Sequence, residues 1–235
     1  MALSALKLTH LEVINEVERL LAVNVSTQLN SSVFTRVLVR LLNEVIDEIA
    51  DFGTWQELYE EILVTASSSL DEYIIEASGM FIQHIEEISF STARSALEVR
   101  SGEEIRRLLR KPSYGTPRNY AIIGIDASSG NPKFRPYPVP GTNQNNQTFR
   151  VVFYRKPNLL DATVTADATS RSVFPANLLI KGLYAKALLE ENGNEPTPEW
   201  QRVTAEFDRM LREAHNRFNA DTGTDIYIVP SNGRM

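Results

Sequence analysis

The run from Thr148 to Asp161, TFRVVFYRKPNLLD, limits the possible folds more than any other stretch of the chain. Phe149, Val151 and Phe153 fall on one face of an extended segment and Arg150, Val152 and Tyr154 on the other, the period of two expected of a half-buried strand. Pro157 has no amide hydrogen for a sheet ladder and biases Lys156 toward extended backbone, so the strand ends there and the chain leaves the sheet. A helical pattern opens soon afterwards near Pro175, and helical patterns also fill the chain up to Gly53. The expected class is therefore α+β: a discontinuous bundle of two N-terminal and two C-terminal helices, with an antiparallel β module inserted between them and a C-terminal extension. Residues 1–55 are expected to form the helical hairpin, 56–165 the β-rich module, 166–220 the completing helical pair and 221–235 an extended tail.

The helical ends carry their own punctuation. Thr9-His10-Leu11-Glu12 has the capping-box form, and Leu11, Ile14, Val17, Leu20 and Leu21 follow at helical spacing to about Val23. Ser31 or Ser32 caps a second helix whose apolar positions are Phe34, Val37, Leu38, Leu41, Val45 and Ile49, ending near Phe52-Gly53. At the other end, Pro175 suits the first helical position, Ile180, Leu183, Tyr184, Ala187 and Leu188 form a buried stripe, and Gly193 stops the helix. Thr197-Pro198-Glu199 starts the last helix, along which Trp200, Val203, Phe207, Met210, Leu211, Ala214 and Phe218 recur.

Between these ends the period changes to two. Strands are expected at Leu58–Ala66, Tyr73–Ala77, Ile85–Ser91, Ala96–Arg100 and Asn119–Asp126, and a short helix from Gly102 to Arg110 is stopped by Pro112. Lys133–Val139 carries several prolines and is expected to be an edge strand or an extended segment. Short turns make the sheet antiparallel by default.

Composition removes several classes of chemistry. With no cysteine in 235 residues, disulfides, thiolate nucleophiles, zinc ribbons and iron–sulfur ligation are excluded. No apolar run approaches the roughly 20 residues that span a bilayer, so no membrane partner is expected. The N-terminus MALSALKLTHLEVINEVE lacks the basic and apolar regions of a signal peptide, and the sequons at Asn24, Asn30 and Asn146 read as chance. His10, His84 and His215 are widely separated, with no partner at ligand spacing, and there is no phosphate loop, dinucleotide fingerprint or nucleophile elbow. No cofactor or metal is expected. Asp221-Thr222-Gly223-Thr224 matches the D-T-G-T loop of aspartic proteases, but it follows an amphipathic helix and has no second copy. A turn after a helix uses the same residue types for backbone reasons.

Charge is unevenly placed. The net charge of −6 argues against general coating of nucleic acid. Met1 to Ala66 carries four basic and ten acidic residues, whereas Arg94 to Arg118 carries seven basic and three acidic, an asymmetry that favours association of copies. Arg106, Arg107, Arg110 and Lys111 could hold phosphates or face a partner. With only Tyr114 nearby there is no stacking platform for single strands, and a solvated face or charged interface suits them better. The tail carries an apolar patch, Asp225, Ile226, Tyr227, Ile228, Val229 and Pro230, which adds a strand to a neighbour, docks in a groove or folds back on its own sheet.

The layout resembles the head-to-tail connector adaptors of short-tailed bacteriophages. The features that carry the likeness are the helical hairpin, the β module, the strand end from Tyr154 to Pro157, the helix start from Pro175 to Leu178 within FPANLLIKGLYAKALLEENG, and the start from Pro198 to Trp200. The resemblance implies a structural virion protein without catalytic residues, forming a homo-oligomeric ring, typically of twelve copies. Such a ring lies between the portal protein and the tail nozzle or tail fibres, genomic DNA passes through its channel without specific recognition, and the C-terminal extension reaches a portal subunit. Another neck or tail-completion protein, or an aspartic-type protease using Asp221, are the competing readings.

Overall fold

The computed structural model describes residues 8–68, 70–77, 81–91 and 96–222. In chain order the elements are α1 (His10–Leu20), α2 (Val33–Phe52), β1 (Tyr59–Thr65), β2 (Tyr73–Ile74), β3 (Ile82–Phe90), β4 (Glu98–Val99), α3 (Gly102–Leu108), β5 (Asn119–Ile125), β6 (Pro132–Tyr137), β7 (Thr148–Arg155), α4 (Thr165–Thr169), α5 (Ala176–Glu191) and α6 (Pro198–Thr222). The chain divides into two compact units: one from both ends, Met1–Glu57 with Asn158–Met235, and one from the middle, Leu58–Pro157.

In the helical unit, α5 is the hub and touches α1, α2 and α6. The sequence predicts one buried stripe through Ile180 and Tyr184. Instead both are only half-buried and lie with Asn177 and Lys181 on the less buried side, while the buried residues Ala176, Leu178, Leu179, Gly182, Leu183, Ala185, Ala187 and Leu188 cover most of the circumference. A helix packed against three neighbours keeps only a narrow outer face, and so loses the amphipathic signature. Gly182 sets the closest approach. A methyl group there would lie 2.7 Å from Val45 Cγ1 of α2 and 2.8 Å from Phe207 Cε2 of α6, well inside van der Waals contact.

The ends of the helices follow local chemistry. Thr9 makes the full capping box with Glu12, and α1 closes three residues earlier than expected, where Ala22 takes a left-handed φ of 57°. Ser32, not Ser31, caps α2 by accepting from the Thr35 amide at 3.0 Å. Pro175 is the residue before α5 rather than its first, whereas Pro198 does open α6, with Thr197 Oγ1 accepting from the Trp200 amide at 3.2 Å.

Glu18 is buried in the hairpin, 1% exposed. Its carboxylate accepts from the Ser26 amide and hydroxyl, both at 2.6 Å, and from the Thr35 hydroxyl at 3.3 Å, which fastens the α1–α2 connection. Asn43 holds the incoming chain through paired bonds, donating to the Leu160 carbonyl at 2.9 Å and accepting from its amide at 2.8 Å.

The middle unit is a two-sheet sandwich, one sheet in the order β1-β7-β3 and the other β2-β6-β5-β4. Phe149, Val151 and Phe153 of the central strand β7 are fully buried. The Phe149 ring lies 5.0 Å from Tyr73, 4.8 Å from Phe90 and 5.1 Å from Phe134, joining strands of both sheets in one aromatic core. Two expectations fail here. β6 lies inside its sheet rather than at the edge, but β2 pairs only with Lys133 and Phe134, so Pro136 sits where one side has no neighbour. β4 and β5 are parallel, because α3 between them carries the chain back to the starting end.

The two buried features make measurable demands. Gly182→Ala gains about 1 kcal/mol in helix propensity but crowds two rigid neighbours, and a net loss of about 1–2 kcal/mol is expected in urea unfolding. Glu18→Leu removes the acceptor of the Ser26 amide and a partner of the Ser26 and Thr35 hydroxyls, which keep each other, and a loss of about 1–3 kcal/mol is expected; unchanged midpoints in either variant would contradict these packing arguments.

Candidate functional site

A search for a catalytic centre finds polar residues held in structural roles. Among the described residues no group of three or more His, Asp or Glu side chains could hold a metal ion. Asp126 has a pKa lowered to about 2 because the hydroxyls and amides of Ser128 and Ser129 converge on its carboxylate, a turn-forming arrangement on the surface. Asp221 and Thr222 belong to the last turn of α6, while Gly223 and Thr224 lie outside the described residues. A helix end is not the strand-borne loop of an aspartic protease.

Two of the three histidines are buried. His10 is 6% exposed, its Nδ1 lies 2.8 Å from Ser170 Oγ, and its backbone amide donates to the Ser170 carbonyl at 3.1 Å. Burial pushes its pKa below 6.5, against the opposing pull of its hydrogen bonds to Asp167 and Ser170. His215 is 2% exposed, packs edge-on against Phe52 and Trp55, and is likewise pushed down by burial. It also explains Gly53: a Cβ at that position would fall 2.1 Å from His215 Nε2.

The remaining features are surfaces. Arg106, Arg107 and Arg110 line a hollow whose floor is Ile122 and Ile123 of β5, with Gly102 and Glu103 at its margin. Ser101 caps α3 in a second capping box with Glu104, and Ile105 anchors the helix in the module core, which leaves the arginines outward. Arg106, Arg107, Arg110 and Lys111 make no ion pair within 4.0 Å among the described residues. Glu104 is lowered mainly by its bonds to Ser101, and only then by Arg100 and Arg107 at longer range. The structure thus gathers the three arginines in one place and adds a floor from a strand distant in sequence.

A second surface was missed in the sequence although its spacing was visible. Glu44, Asp47, Glu48 and Asp51 share one face of α2, along its C-terminal half. Glu44 pairs with Arg40 at 2.7 Å, and Glu48 with Lys186 of α5 at 3.0 Å. A third surface is apolar, with Val99, Ile122 and Ile125 exposed beside Ile82 and Ile85. The predicted tail contact, Asp225 to Pro230, lies outside the described residues.

The chain also matches a family of known proteins. The family model described as the SU10 adaptor protein matches residues 8–231. The chain belongs to the SU10 adaptor protein family. No curated protein matches it. The family is one of phage structural adaptors, which makes the chain a component of the phage particle. Among the described residues of this SU10-family chain no helix is long and apolar enough to cross a membrane.

Since both buried imidazoles are held neutral below 6.5, the unfolded chain binds more protons than the folded one as pH falls through that value. Their contribution is complete above 6.5 and declines below it, by at most about 1.4 kcal/mol per pH unit for each histidine. Urea midpoints are expected to hold steady from about pH 8 to 7 and to drop between about 6.5 and 5, before the carboxylates titrate. The drop should be smaller in His10→Asn, and a flat profile in the parent chain would contradict a neutral buried imidazole.

Proposed function

We propose that the chain is one copy of an adaptor ring, of twelve copies, that joins the portal protein to the tail nozzle or tail fibres of a phage and has no catalytic role. The observation that carries this reading is the family match over residues 8–231. The charge distribution supports it. The helical unit holds 12 basic and 19 acidic residues, the middle unit 12 and 11, so the excess of negative charge belongs to the helices. Helices with that excess, turned toward a channel, let genomic DNA pass without gripping it, because phosphate contacts require basic residues. In this reading Asp225 to Pro230 contact the portal, the copies assemble in the host cytoplasm, and two different patches on each copy meet head to tail, the interface type that closes into a ring.

Mass measurement in solution, alone and with the portal protein of the same phage, tests the reading. A complex holding twelve copies is expected, and removing residues 225–235 is expected to weaken portal binding at least tenfold, about 1.4 kcal/mol. A single copy under every condition would end the ring proposal, and undiminished binding by the truncated chain would remove the tail from it.

A further inference from the structure

The arginine hollow and the carboxylate face of α2 are opposite in charge, each is locally unfavourable alone, and they lie on different units. In the hollow, three like charges crowd a short helix, and none has an ion-pair partner among the described residues. On α2, Asp47, Glu48 and Asp51 stand in the closing turns, where the partial negative charge of the helix end disfavours carboxylates, and the last turn itself holds no basic residue. Arg40 and Lys186 answer Glu44 and Glu48, while Asp47 has no ion pair among the described residues. Both patches gain from an oppositely charged partner.

We infer that the C-terminal half of α2 in one copy docks against the Arg106, Arg107 and Arg110 hollow of the next copy. This rests on the ring reading and names the surfaces through which neighbours meet. A second copy fits better than nucleic acid. Ile122 and Ile123 line the hollow beside the arginines, and this aliphatic surface suits the side of a helix rather than a phosphate chain. The spacing of Glu44, Asp47, Glu48 and Asp51 puts carboxylates along two turns, a length that spans several arginines at once. The two patches are also distinct, so each copy offers one of each and the contact propagates around a closed ring.

Charge reversal tests this with the full chain and its portal protein. Arg106→Glu, Arg107→Glu and Arg110→Glu in one variant, and Asp47→Arg with Asp51→Arg in another, are each expected to lower ring assembly at least tenfold. Mixing the two variants in equal amounts should restore rings, since each then meets the opposite charge on its neighbour. Urea unfolding of each variant checks that it is folded, and rings of Arg107→Gln, a milder change, should come apart at a lower salt concentration than wild-type rings within the range of about 0.1 to 1 M. Rings that form normally from either variant alone, or folded variants whose mixture stays unassembled, would overturn the inference while leaving the ring reading standing. Duplex DNA bound by the parent chain and lost in the arginine variant, with assembly intact, would assign the hollow to DNA instead. Failure of the parent chain to form rings at all would remove the ring reading beneath it.

Discussion

The helical unit depends on packing α5 against three helices at once. Val45 of α2 and Phe207 of α6 both close on the backbone at Gly182, and only the absence of a side chain there allows it. Because α1 and α2 precede the middle unit in sequence and α5 and α6 follow it, this packing forces the two ends of the chain into one body. The β module is then an insertion as a matter of topology. The Asn43 clamp on Leu160 fixes the returning chain to α2 just after the module ends at Pro157.

The insertion stands on a core of its own. Phe149 gathers rings from β2, β3 and β6, so the sandwich buries its aromatics without borrowing from the helices. Its charged features remain outside, where Ser101 and Ile105 hold α3 in place and leave the arginines to the surface. The two units thus have separate interiors and differ in surface charge, one rich in acid and one carrying a basic hollow.

Signals that act over a few residues could be read from the sequence. The Thr9–Glu12 box and the Thr197 cap each specify local geometry through neighbours in the chain and are found in place, and Phe149, Val151 and Phe153 are buried as expected, although Val152 on the other face of β7 is buried too. Signals that depend on distant partners could not. The stripe predicted for α5 dissolved because three helices pack against it, and the prolines of β6 were compatible with an inner strand because β2 is only two residues long. The parallel β4–β5 pair needed the crossover of α3 to be recognised as such. Of the candidate site, Arg106, Arg107 and Arg110 were visible as a cluster, but their floor of Ile122 and Ile123 comes from another element. The α2 carboxylates had readable spacing and a readable helix end, yet the pairing of Glu48 with Lys186 depends on α5, which is distant in sequence.

Membership of the SU10 adaptor protein family ties this architecture to the phage particle, and the ring is the claim on which the functional account stands. Electron cryomicroscopy of the purified chain mixed with its portal protein tests it most directly. The account predicts a twelvefold collar at one end of the portal, with the helical units and the β modules repeating around it. Portal particles lacking any added density, or carrying isolated copies without contacts between them, would contradict it.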